Sequence, residues 1–239
     1  MAGRRLWLLG ALVLAGCGGG RHATATTTAA PPGALRYGVI GDSYSNGEGV
    51  GEQQSWPAQL ARRLTTGGLP TTVVVNPAVS GWTSQQALDD ELVPFQRAHP
   101  QVATVLIGVN DWVQGVPAST FRANLQRLLD VMITTVGAPG RVIAVTIPDF
   151  SVTPSGAQYA TGRDAPAGIA AFNAIVRTEA AARHVAVVDV FALSQAMSDP
   201  ALTAPDGLHP SALELRQWVD RIAPVARAHW ARALSGSAR

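Results

Sequence analysis

Five short apolar runs, each separated from the next by a stretch of helical spacing, constrain the fold of this chain more than any other feature. The runs are Tyr37 to Gly41, Thr71 to Val75, Val102 to Ile107, Val142 to Ile147 and Val185 to Val190. They are continuously apolar or β-branched rather than alternating, as in strands buried on both faces. A helix is predicted from Ser55 to Leu64, with Pro57 in its first turn and Gly67-Gly68 as its stop. Thr83 to Ala98 reads as a second, divided at Pro94. Phe121, Leu125, Leu128, Leu129, Met132 and Val136 recur at the spacing of a third. A fourth spans Ala165 to Arg183. The last is predicted to start at Pro210 and to kink at Pro224, with Leu215, Trp218, Val219, Ile222 and Trp230 as its buried stripe. This alternation predicts one α/β domain over residues 35–234, a parallel sheet covered on both faces, and a short C-terminal tail at 235–239.

Right-handed crossovers would put the carboxyl ends of all the strands on one edge, where open α/β sheets hold their ligands. Four polar segments belong there: Gly41–Ser45, Asn76–Ser84, Gly108–Trp112 and Asp206–His209. Ser43 ends the first strand. A serine is a weak nucleophile unless a base takes its proton and donors stabilise the oxyanion. His209 could be that base if it faces Ser43, with Asp206 holding its tautomer. Taken alone, the same residues read more readily as an Asp-Gly turn and a helix-capping histidine, and the convergence of the other three segments raises the weight of the catalytic reading. Gly81 allows a backbone N–H to approach a ligand closely, and Asn110 offers an amide. Trp82 and Trp112 adjoin these donors and either join the core or line an acyl or sugar site. Ser45 competes with Ser43 for the nucleophile's place but reads as a loop hydroxyl bonded to backbone. Asp42 and Asp111 read as loop braces. His22, His99, His184 and His229 occupy a tether, a loop, a helix end and a helix, with no catalytic role expected.

Taken together, Gly41-Asp42-Ser43, Gly81 in its Asn-x-Ala-x-Ser-Gly setting, Gly108-Val109-Asn110-Asp111 and Asp206-Gly207-Leu208-His209 resemble the four blocks of the SGNH (GDSL) hydrolases. They stand in the family's order and cover nearly everything from Leu35 to Trp230. The resemblance implies a flavodoxin-like three-layer αβα sandwich with a five-stranded parallel sheet. It implies Ser43 as nucleophile, His209 as base and Asp206 as third triad member. The Ser43 N–H, the Gly81 N–H and the Asn110 amide would form the oxyanion hole. The Asn-x-Ala-x-Ser-Gly-x-Thr-Ser pattern is similar to bacterial esterases, thioesterases and lysophospholipases. The expected activity is hydrolysis of a small-molecule, lipid or glycan acyl ester, without cofactor or metal. A carbohydrate O-acetyl esterase and a non-catalytic, lipid-anchored binding protein are the alternatives. The loop Pro148–Arg163 matches no block and receives no role.

The N-terminus reads separately. Arg4-Arg5 precede an apolar run, Leu6 to Ala15, too short to span a bilayer, which marks a signal segment over residues 1–17. Leu14-Ala15-Gly16-Cys17 resembles the lipobox of bacterial lipoproteins, and Cys17 is the sole cysteine. Residues 18–34 read as a flexible tether, and the expected location is the cell envelope, anchored through lipidated Cys17. The basic residues are all arginine; removing Arg4 and Arg5 leaves 18 − 2 = 16 against 16 acidic residues. They are scattered, which argues against a nucleic-acid partner.

Overall fold

The computed structural model describes residues 27–236; the signal segment, Cys17 and the tether before residue 27 lie outside them. Five parallel strands form one sheet: β1 (Leu35–Gly41), β2 (Thr71–Val75), β3 (Val102–Leu106), β4 (Val142–Val145) and β5 (Ala186–Val188). Their order is β2-β1-β3-β4-β5. The chain therefore reverses its direction of travel between β1 and β3, and that reversal opens a crevice beyond their carboxyl ends. The last tether residues run beside β2, where the Thr28 N–H donates to the Val74 carbonyl at 3.0 Å.

The later strands end sooner than their apolar runs because side chains take over from the ladder. At Ile147, the Asn173 amide accepts the backbone N–H at 2.7 Å and donates to the carbonyl at 2.8 Å. Thr146 Oγ1 accepts the Val190 N–H at 2.9 Å and donates to Asp189 at 3.1 Å. These substitutions keep buried backbone groups paired while the chain leaves the sheet.

Five helices complete the layers: α1 (Trp56–Thr66), α2 (Leu92–Arg97), α3 (Ala118–Val136), α4 (Ala165–Ala182) and α5 (Ala212–Gly236). Helix α1 packs on α5, and α3 on α4, so the two groups cover opposite faces of the sheet. Every residue of the two expected stripes, Phe121 to Val136 in α3 and Leu215 to Trp230 in α5, is buried.

Two helix boundaries differ from expectation. The Thr83–Ala98 helix is interrupted before Pro94, by a π turn at Ala87–Glu91 that follows a capping box between Thr83 and Gln86. Pro94 instead sits in the first turn of α2, where its missing N–H costs nothing. The wide turn brings Glu91 back to β1, where its Oε2 accepts the Gly41 N–H at 2.9 Å. Helix α5 begins at Ala212 rather than Pro210, because Pro210 forms an antiparallel bridge with Thr203.

Candidate active site

Chain geometry at the end of β1 decides which serine meets solvent. Asp42 caps a one-turn helix, Ser43–Asn46, its Oδ1 accepting the Tyr44 N–H at 3.1 Å. Ser43 is the first residue of that turn, so its own N–H has no helical partner. Ser45 points the other way: it is fully buried, and a Cβ at Gly41 would collide with its Oγ. Its hydroxyl has no hydrogen-bond partner among the described residues, which corrects the expectation of a bond to backbone. Burial pushes the Asp42 carboxyl up to about 8, opposed by the Tyr44 N–H and reinforced by the charge of Asp111.

Two further turns bring donors to the same place. Gly81 has φ +83, and a Cβ there would meet nothing within 4 Å, so its backbone faces open space. Asn110 follows Gly108, whose φ of +123 and approach to Phe121, 2.6 Å from where a Cβ would lie, exclude any larger residue. Asn110 Nδ2 donates to the Trp82 carbonyl at 2.9 Å, which leaves the second amide hydrogen unspent. Asp111 ties the two turns together, accepting from the Ser84 N–H at 2.8 Å and the Ser84 hydroxyl at 2.5 Å. Both Asp42 and Asp111 thus brace loops, as their positions suggested.

The fourth segment is a small antiparallel loop. The Ala204 N–H donates to the His209 carbonyl at 2.7 Å, and the Ser211 N–H to the Leu202 carbonyl at 2.8 Å. Asp206 Oδ2 lies 2.8 Å from His209 Nδ1, and Asp206 Oδ1 accepts the N–H groups of Leu208 and His209 at 2.8 and 2.9 Å. Burial raises the Asp206 carboxyl, but these two N–H groups and the imidazole outweigh it and hold it below its ordinary value. A carboxylate at Nδ1 keeps the ring proton there and leaves Nε2 as the acceptor. The imidazole stands edge-on to Tyr44, centroids 5.7 Å apart.

Ser43, Gly81, Asn110, Asp206 and His209 all line one cavity of about 560 Å³. The Ser43 hydroxyl makes no hydrogen bond to any described residue. The remaining wall includes Val113, Phe150, Tyr159 and Leu208. Trp82 and Trp112, considered for a substrate-lining role, are both buried and are not among the residues that line it. Trp112 is sandwiched inside the fold, with Phe150 at 5.8 Å and the Arg163 guanidinium 3.9 Å from its ring centroid.

Sequence reasoning missed the wall that the loop Pro148–Arg163 builds. Phe150 and Tyr159 come from it, and their aromatic rings in a polar loop were the one available signal. The loop also braces the Asp206 turn: the Ser155 N–H donates to the Gly207 carbonyl at 2.8 Å and its hydroxyl to the Asp206 carbonyl at 3.3 Å. Glu48, which shares the cavity with Ser43, was missed as well. Among the described residues no group of three or more His, Cys, Asp or Glu is placed to hold a metal ion.

Known proteins are similar to this chain in sequence and fold. Residues 39–213 match the model of the GDSL-like lipase/acylhydrolase family. An arylesterase of Vibrio mimicus is 26% identical over 181 residues, 76% of this chain and 82% of the relative. The esterase TesA of Pseudomonas aeruginosa is 25% identical over 189 residues, 79% of this chain and 86% of the relative. A crystal structure of TesA superposes with a TM-score of 0.66 at 25% identity, covering 81% of this chain and 98% of that one. A parallel sheet that delivers four motif-bearing loops to one cavity, matched over most of its length, makes this chain a member of the GDSL-like lipase/acylhydrolase family and an ester-hydrolysing enzyme.

Proposed function

We propose that the enzyme cleaves carboxylic esters through a covalent acyl-enzyme formed on Ser43. Ser43 Oγ attacks the ester carbonyl as its proton passes to His209 Nε2. The Asp206 carboxylate stabilises the imidazolium that results and holds the ring in place. The oxyanion of the tetrahedral intermediate accepts hydrogen bonds from the Ser43 N–H, the Gly81 N–H and the second amide hydrogen of Asn110. Collapse expels the alcohol, which takes the proton back from His209. A water molecule then repeats the sequence on the acyl-enzyme, releasing the acid and restoring Ser43.

The observation that carries this reading is the Asp206–His209 pair at 2.8 Å, opening on the same cavity as a serine hydroxyl that no described residue engages. A protein that merely bound a ligand in this cleft would need no carboxylate-held imidazole. Reaction with a fluorophosphonate, followed by peptide mapping, tests it. The label is expected on Ser43 and absent from Ser43→Ala; a label on another residue would overturn the assignment.

The N-terminus supports a location for the reaction. We propose that Cys17 is lipidated, becomes the new N-terminus once residues 1–16 are removed, and anchors the enzyme in the cell envelope. The support is the basic pair Arg4-Arg5, the short apolar run and the Leu-Ala-Gly-Cys sequence.

A further inference from the structure

The charges around the cavity are one-sided. Two carboxylates line it, Glu48 and Asp206, and no arginine does. Asp206 is committed to His209, so Glu48 supplies the one negative charge that a substrate would meet unopposed. Arg163, on the adjoining loop, is turned onto the Trp112 ring and donates to the carbonyls of Trp112 and Val113.

Glu48 is held in place rather than left to swing. Its Oε2 accepts from the Ser80 hydroxyl at 2.5 Å, and the Ser80 oxygen accepts from Asn46 Nδ2 at 3.0 Å. The ring closes where Asn46 Oδ1 accepts the Glu48 N–H at 2.8 Å. Asn46 belongs to the Ser43 turn, and Ser80 directly precedes Gly81. The carboxylate therefore sits at the junction between the Ser43 turn and the Gly81 loop, with Oε1 free of partners among the described residues.

From this we propose that Glu48 determines specificity by charge. It disfavours esters that carry a negative charge close to the scissile bond, and it admits neutral and cationic ones. The proposal rests on the esterase reading above. The carboxylate is exposed to solvent, so the discrimination is moderate, about three- to tenfold in kcat/KM, and it weakens as salt shortens the Debye length.

Three acetate esters with matched two-carbon alcohols test it: acetylcholine, 2-methoxyethyl acetate and 3-acetoxypropionate. They differ mainly in bearing a positive, a neutral or a negative end. The full chain, Glu48→Gln and Glu48→Ala are compared by acid release at low and high ionic strength, with circular dichroism as a check of fold. Glutamine keeps an oxygen for the Ser80 hydroxyl and removes only the charge. The expected result is a cation-to-anion ratio of kcat/KM that falls about three- to tenfold in Glu48→Gln. Salt should lower that ratio in the wild type and leave it unchanged in the variant. A ratio indifferent to Glu48→Gln, or an equal change on all three esters in both variants, would reduce Glu48 to a brace for Gly81 and overturn the proposal alone. Hydrolysis of all three that persists in Ser43→Ala would remove the Ser43 reading and this proposal with it.

Discussion

Gly49 packs against Asp206 so closely that a Cβ at Gly49 would stand 3.0 Å from the Asp206 Oδ2 and 2.7 Å from the Ala204 side chain. Gly49 also has φ +80, a conformation that side chains rarely adopt. The loop that follows Ser43 and the loop that carries His209 thus dock through a glycine, and the proposed nucleophile and base would depend on this contact for their relative placement. Gly49→Ala should cost about 1–3 kcal/mol of stability from backbone strain. It should also lower kcat on the order of 10²-fold, because small misplacements of reacting groups are costly. Urea denaturation and steady-state kinetics check both; a folded variant with wild-type kcat would show that the contact does not position the pair.

His209→Ala should reduce kcat on the order of 10⁴- to 10⁶-fold, about as much as Ser43→Ala, since the two act as a unit. Asp206→Asn should be milder, on the order of 10⁴-fold. Asparagine can still accept the Leu208 and His209 N–H groups, but it presents an amide rather than a carboxylate to Nδ1. Single-turnover kinetics on the purified variants decides the order, and near-wild-type kcat in folded Asp206 and His209 variants would dismantle the triad.

Asn110→Ala removes one of the three proposed oxyanion donors and should cost roughly 10²- to 10³-fold in kcat with KM little changed. The Trp82 carbonyl loses its partner at the same time, so the test includes thermal denaturation. A drop in kcat with unaltered stability isolates the catalytic contribution; a rise in KM alone would assign Asn110 to ground-state binding.

Asp42 makes stability depend on pH. Burial pushes its carboxyl up to about 8, and burial moves Glu91, beneath the same turn, in the same direction. The unfolded chain releases these protons near pH 4. Between about pH 4 and about 8 the folded state holds more protons, so stability falls as pH rises through that window. Asp206 has the opposite sign: its lowered carboxyl contributes above the ordinary carboxylate range and is lost only in stronger acid. Asp42→Asn keeps an oxygen for the Tyr44 N–H and removes the titration. Its Tm should lie nearest to wild type at about pH 4 and exceed it by a growing margin up to about pH 8.5. Parallel Tm curves for the two proteins would refute the assignment.

Cys17→Ser should abolish lipid attachment and leave the protein as an unprocessed precursor or as a released form in a bacterial host. Metabolic labelling with palmitate reads this directly. Label retained in Cys17→Ser would eliminate the anchor proposal.

The alternation of strand and helix, the buried stripes of α3 and α5, and the placement of four polar segments at one sheet edge were all legible in the sequence. Each is a local property: side-chain periodicity reports which face is buried, and the end of an apolar run reports where a strand releases the chain. Ser43, Gly81 and Asn110 were nominated by residue type and by their place in the loops after strands, whereas Asp206 and His209, in the loop before α5, were nominated by the resemblance of all four segments to one family. Other features were decided only by what packs against what. Ser45 turns inward because it fills the space beside Gly41, and Trp112 is buried because Phe150 and Arg163 cover it. Strands β4 and β5 end early because Asn173 and Thr146 replace their ladder bonds. Phe150, Tyr159 and Glu48 reach the cavity from segments whose sequences have no period to betray a face. In such loops the direction of a side chain follows from neighbours dozens of residues away, and tertiary packing alone supplies those neighbours.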